Sequence, residues 1–84
     1  MVEILDFYAN WCIPCKRLGP ILDQVEKETD IKITKIDVDA EEHERTVLDY
    51  AISSVPTLII LKNGKPVKKL IGVMDKQTII KATE

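Results

Sequence analysis

The hydrophobic period of this chain changes twice within its first 38 residues, and that alternation restricts the available folds more than any other feature. Val2 to Tyr8 is an apolar run interrupted only by Glu3 and Asp6, with the length of a buried strand. Leu18, Ile21, Leu22 and Val25 then recur at helical spacing, so residues 15–29 read as an amphipathic helix. Ile31 to Val38 is β-branched and partly alternating, which returns the chain to a strand. A helix crossing between two such strands makes them parallel and the connection right-handed. Pro20 lies inside the helix and has no N–H for the carbonyl of Lys16, so a kink is expected there.

The second half changes pattern again. Asp39 is expected to cap a second helix, with Glu42 as its capping-box partner. Val47, Leu48 and Ala51 mark its buried side, and it should end near Ala51. Thr57 to Leu61 is wholly apolar, Asn63-Gly64 is a strong hairpin signal, and Pro66 to Ile71 supplies the returning strand. Gly72 ends that strand, and Asp75 opens a short final helix through Ile79 and Ile80. The order is β-α-β-α-β-β-α, an α/β chain, and its 84 residues are expected to form one domain, 1–84.

Charge and composition narrow the function. A formal net charge of −2 argues against a nucleic-acid footprint, which needs a clustered basic face. Lys62, Lys65, Lys68 and Lys69 are the densest lysines and are interrupted by a turn, so they read as a solvated hairpin. No run approaches the roughly 20 apolar residues of a membrane span. The first residues lack a basic n-region and carry acids early, so a cytoplasmic location is expected. In a reducing compartment two cysteines do not serve as a structural staple.

The informative segment is Trp11-Cys12-Ile13-Pro14-Cys15-Lys16, between a strand and a helix. Two intervening residues on a tight turn let the two sulfurs bond. A helix N-terminus beside Cys12 favours its thiolate, the nucleophilic form. Cys15, inside the helix, is expected to be buried by comparison and to resolve a mixed disulfide formed at Cys12. Pro14 occupies an early helix position, where its missing N–H does little harm. Half of a zinc site is the competing reading, but structural zinc needs four ligands and only His43 is added to the two sulfurs. His43 sits among Glu41, Glu42, Glu44 and Arg45 and reads as a solvated surface residue. Two inert core cysteines are a third reading, disfavoured by Trp11, Pro14 and the strand-to-helix junction around them. Asp6 shares a strand face with Val2 and Ile4, so it is a buried acid, satisfied or with a raised pKa, or else a half-exposed acid at the strand's end.

Along nearly its whole length the chain resembles the thioredoxin family. The resemblance rests on Asp6-Phe7-Tyr8-Ala9, Trp11-Cys12-x-Pro14-Cys15-Lys16, Pro20, Lys35 to Asp39, Val55-Pro56-Thr57, Lys62-Asn63-Gly64 and Gly72, in matching order and spacing. It implies a four-stranded mixed sheet flanked by helices on both faces. It also implies dithiol–disulfide exchange with protein substrates, with no cofactor beyond the Cys12–Cys15 pair. By the same resemblance Asp6 assists deprotonation of Cys15, with Lys35 beside it, and Val55-Pro56 is a cis bond lying against the cysteines. The backbone of Val55 would then pair with an extended substrate segment. Trp11, Ile13, Val55, Val73 and Met74 would form an apolar docking rim near Pro56 and Gly72.

Two departures stand out. Ile13 occupies a position where the family usually has Gly, and the chain begins at the strand before the cysteines, without the family's first strand and helix. Strand 31–38 should then be a sheet edge, where Lys32 and Lys35 blunt edge-to-edge pairing. The short form resembles glutaredoxins in outline, which makes a glutathione-dependent reductase one alternative. A redox-sensing binding module is the other. The expected partners are protein disulfides and a thioredoxin-reductase-type electron donor, with the chain acting as a monomer and as a reductant.

Overall fold

The computed structural model describes all residues from Met1 to Glu84. In order they form β1 (Val2–Tyr8), α1 (Ile13–Glu28), β2 (Lys32–Asp37), a 3-10 turn (Glu41–His43) leading into α2 (Glu44–Asp49), β3 (Thr57–Lys62), β4 (Lys65–Ile71) and α3 (Lys76–Ala82). The four strands make one sheet in the order β2-β1-β3-β4. β1 is parallel to β2 and antiparallel to β3, and β3 is antiparallel to β4, as the strand–helix–strand and hairpin patterns require.

Alternate residues of the central strands serve two cores. Ile4, Leu58 and Ile60 meet Leu18, Leu22 and Val25 of α1 and Ile79 and Ala82 of α3. On the other face Leu5, Phe7, Ile36, Ile59 and Leu61 pack with Val47, Tyr50 and Ile52 from α2 and the segment after it. Covering on both faces is why β3 is apolar at almost every position rather than alternating. The Phe7 and Tyr50 rings meet with centroids 5.9 Å apart and planes at 57°.

Three local expectations change. α1 begins at Ile13 and runs unbroken through Pro20, so Cys12 is its N-cap and Pro14 its second residue. Asp39 does not cap the second helix; the cap position of the 3-10 turn is Ala40, with no side-chain hydrogen bond. The Asp39 carboxylate is instead bound by the Trp11 indole N–H at 2.7 Å. α2 itself starts at Glu44, and its inward face is only partly the expected one. Val47 and Tyr50 face the core, while Leu48 is 68% exposed and Ala51 is exposed. The helix end near Ala51 is as expected: Tyr50 is the C-cap and Ala51 turns to φ 53°. Lys69 Nζ from β4 binds the Ala51 carbonyl there at 3.0 Å.

The hairpin and final helix follow their sequence signals. Asn63 and Gly64 have φ of 52° and 82°, the pair of positive values a two-residue hairpin turn demands. The β3–β4 register slips between Ile60 and Leu61, where Val67 is the extra residue beside Pro66, whose missing N–H cannot join a regular ladder. The Asp75 carboxylate accepts the Thr78 N–H at 2.8 Å and caps α3. Replacing Gly64 with Ala places a Cβ in the left-handed region without any contact to compensate it. Urea unfolding of Gly64→Ala is expected to show a loss of roughly 1 kcal/mol with an unchanged denaturant slope.

Candidate active site

The end of β1 delivers the chain to the start of α1 through one tight turn. The Cys12 N–H donates to the Ala9 carbonyl at 3.1 Å, closing that turn. Cys12 adopts an extended conformation at the cap, and its Sγ accepts the Cys15 N–H at 3.1 Å. A sulfur thus stands where a serine or aspartate oxygen usually caps a helix. No acid in the first turn of α1 opposes the positive end of the helix, so negative charge on Cys12 Sγ is favoured. Cys12 and Cys15 are joined as a disulfide, with Cα atoms 5.3 Å apart.

The expected difference in burial is reversed. Cys12 is only 3% exposed, whereas Cys15 is partly exposed. The cause is a cavity of about 240 Å³ that opens beside Cys15 and is shared by Asp6, Lys16, Gly19 and Lys35. Gly19, one helical turn beyond Cys15, has no side chain to close it, and even an added Cβ would meet nothing within 4 Å.

Asp6 lies on the α1 face of β1, opposite Lys35 of β2 and Leu58 of β3. It is 5% exposed and its carboxylate has no protein hydrogen-bond partner. Burial pushes its pKa up to about 6, and the opposing charge of Lys35 limits the rise. Asp6, Lys35 and Cys15 therefore share one cavity, although they come from β1, β2 and α1.

The opposite side of Trp11 borders a shallow apolar groove formed with Val38, Val47, Ile52 and Val55. The Val55–Pro56 bond is cis, and the Pro56 carbonyl accepts the Gly72 N–H at 3.0 Å, which ties the start of β3 to the end of β4. Trp11, Ile13 and Val73 are 68%, 64% and 43% exposed, a large apolar display for so small a surface. Met74 differs from its neighbour by packing against the α1–α3 core. Val38, Val47 and Ile52 of the groove, and Asp39, which holds the Trp11 indole, are residues that sequence reasoning missed as site residues. Asp39 lies 28 residues from Trp11, and no local pattern marks their pairing. His43 is partly buried, with Nδ1 at 3.0 Å from the Asp37 carbonyl oxygen, rather than a free surface residue. No group of three or more His, Cys, Asp or Glu side chains gathers to hold a metal.

The family model for thioredoxin matches residues 2–84. The chain belongs to the thioredoxin family. It is 38% identical over 80 residues to the thioredoxin of Mycolicibacterium smegmatis, covering 93% of this chain and 71% of that one. With the thioredoxin of Chlamydia caviae the identity is 40% over 79 residues, covering 93% and 76% respectively. Among solved structures, a mutant thioredoxin from Halobacterium salinarum NRC-1 superposes with a TM-score of 0.91 at 35% identity, over 99% of this chain and 72% of that one. The solution structure of oxidised thioredoxin from Plasmodium falciparum gives 0.84 at 38% identity, over 99% and 82%. With its bonded cysteine pair, this thioredoxin-family chain is a thiol–disulfide oxidoreductase.

The raised pKa of Asp6 is also a statement about stability. The folded state holds the Asp6 proton more tightly than the unfolded chain, so ionising Asp6 costs folding free energy. The cost is absent below the ordinary aspartate pKa of 3.8 and complete above about pH 6. Asp6→Asn is therefore expected to stabilise the oxidised protein by roughly 2–3 kcal/mol near pH 8 and to change little below pH 4. Urea unfolding at the two pH values measures the difference; equal stability at both would show that Asp6 is well solvated.

Proposed function

We propose that the chain is a protein-disulfide reductase in which Cys12 attacks and Cys15 resolves. The observation that carries this division is the Cys15 N–H held on Cys12 Sγ at the helix cap, since it stabilises a thiolate at Cys12 and none at Cys15. In the reduced protein the Cys12 thiolate attacks one sulfur of a substrate disulfide. The other substrate sulfur leaves as a thiolate, and a mixed disulfide remains on Cys12. Ionised Asp6 then takes the proton of Cys15 across their common cavity, and Lys35 keeps the Asp6 pKa from rising beyond the neutral range. The Cys15 thiolate attacks Cys12 Sγ and expels the second substrate sulfur. One disulfide has been reduced, and the Cys12–Cys15 disulfide has formed.

The docking surface in this reading is the exposed rim of Trp11, Ile13, Val55 and Val73, backed by Pro56 and Gly72. The Trp11–Asp39 hydrogen bond orients the indole, and an extended substrate segment pairs with the backbone of Val55. Pro14 and Pro20 shape α1 and take no chemical part. Residues 1–84 work as one domain and as a monomer in the cytoplasm. They need no bound cofactor and are recharged by a thioredoxin-reductase-type donor. The reducing direction follows from the cytoplasmic setting in this reading.

Dithiothreitol-driven reduction of insulin tests the scheme. Wild type is expected to accelerate it, and Cys12→Ser to abolish the acceleration. Cys15→Ser should accumulate mixed disulfides with substrate; equal trapping by the two single variants would end the assignment. Asp39→Ala is expected to raise KM for a protein disulfide several-fold with little change in kcat, the signature of lost ground-state binding.

A further inference from the structure

One wall of the apolar groove beside Trp11 is built on the end of α2. The Ile52 N–H donates to the Val47 carbonyl and the Ala51 N–H to the Leu48 carbonyl, both at 3.0 Å. With Tyr50 as the C-cap, these are the two bonds of a Schellman motif. The motif needs a left-handed residue directly after the cap, a place that glycine usually fills. Ala51 fills it in this chain, at φ 53°, and its Cβ makes that conformation unfavourable. The apolar pair that accompanies the motif is Val47 and Ile52, which pack on the same core and both line the groove. The residues that close the helix are therefore residues that shape the groove. From them the chain runs on through Ser53 and Ser54 to Val55, all three also in the groove lining.

The group that holds Ala51 comes from another element. Lys69 of β4 lies opposite Ile59 across the β3–β4 ladder, on the sheet face that α2 covers. Its Nζ donates to the Ala51 carbonyl at 3.0 Å and lies 3.5 Å from the Tyr50 carbonyl oxygen. The two Schellman bonds use neither of these carbonyls. α2 has no basic residue in its last turn, and Arg45 is paired with Asp49. The cation at the negative end of the helix is thus supplied from β4.

We propose that Lys69 is a positioning residue for substrate docking. Its ammonium fixes the left-handed turn at Ala51 and so holds Val47, Ile52 and Val55 where a protein disulfide meets them. The proposal rests on the Trp11–Val55 side of the rim being the docking surface for protein substrates. Lys69 itself lies outside the groove lining, so its loss weakens the binding of a substrate that covers the groove and leaves exchange at Cys12 unaltered.

The test compares wild type and Lys69→Gln on insulin and on hydroxyethyl disulfide, which is too small to span the groove. With insulin, KM is expected to rise about 5-fold in Lys69→Gln at unchanged kcat, the mark of lost ground-state binding. The rate with hydroxyethyl disulfide should stay at the wild-type value. Lys69→Arg keeps the charge and the donors and should hold KM near wild type. Ala51→Gly supplies the residue that the turn prefers, so adding it to Lys69→Gln should return KM toward wild type. Amide exchange of Ala51 and Ile52 should be about 10-fold faster in Lys69→Gln, with β1 and β3 unchanged. An unchanged insulin KM, equal losses with both disulfides, unchanged exchange at Ala51 and Ile52, or no recovery on adding Ala51→Gly would each overturn the proposal. Insulin reduction by wild type with an unchanged KM in Lys69→Gln removes only the role of Lys69. If wild type does not reduce insulin, the docking reading falls and this proposal falls with it.

Discussion

The site depends on how β1 meets α1. β1 is buried on both faces and flanked by β2 and β3, so its last residues have little freedom, and the turn closed by the Cys12–Ala9 hydrogen bond passes that rigidity to the first turn of the helix. The sulfur of Cys12 is thereby held over an unpaired backbone N–H, where a helix most needs an acceptor. Capping and reactivity become one interaction. The group that completes the helix end is also the group whose negative charge the helix favours. Cys15, less than one helical turn further on, has its own N–H committed to that bond, so the two sulfurs differ although they are bonded to each other.

Burial of β1 has a second consequence. It places Asp6 among apolar neighbours, where an ionised carboxylate is poorly solvated and only Lys35 offers an opposing charge. The fold loses stability by keeping this acid ionised, and its pKa is raised to about 6. The cavity left open at Gly19 gives Asp6 access to Cys15 and to water without opening the core behind it. The apolar surface around Trp11 carries a comparable compromise. An indole 68% exposed is an unfavourable display of apolar surface, and its hydrogen bond to Asp39 fixes the ring in that position.

Most elements were legible because each rests on nearby residues. The Asn63-Gly64 turn, the Asp75 cap and the apolar run of β3 depend on neighbours a few positions away, and all three occur as their patterns imply. The second helix departs from its pattern for the opposite reason. Asp39 has every local qualification for a cap, but its carboxylate is bound by a distant indole, the helix starts at Glu44, and Leu48 is exposed. α1 continues through Pro20, with Leu18, Leu22 and Val25 fixed against the sheet.

By itself the amino-acid sequence determined the order of strands and helices, the parallel crossover, the hairpin, and the placement of two cysteines at a helix start. These follow from hydrophobic period, turn chemistry and chirality, which act over short stretches of chain. Tertiary structure alone decided which cysteine is covered, which charges share a cavity with Cys15, and which acid holds Trp11. Those outcomes depend on residues from β1, β2 and α1 meeting across the sheet, and on a side chain that Gly19 lacks. Burial and electrostatic coupling are properties of the assembled surface, and no spacing along a single strand or helix contains them.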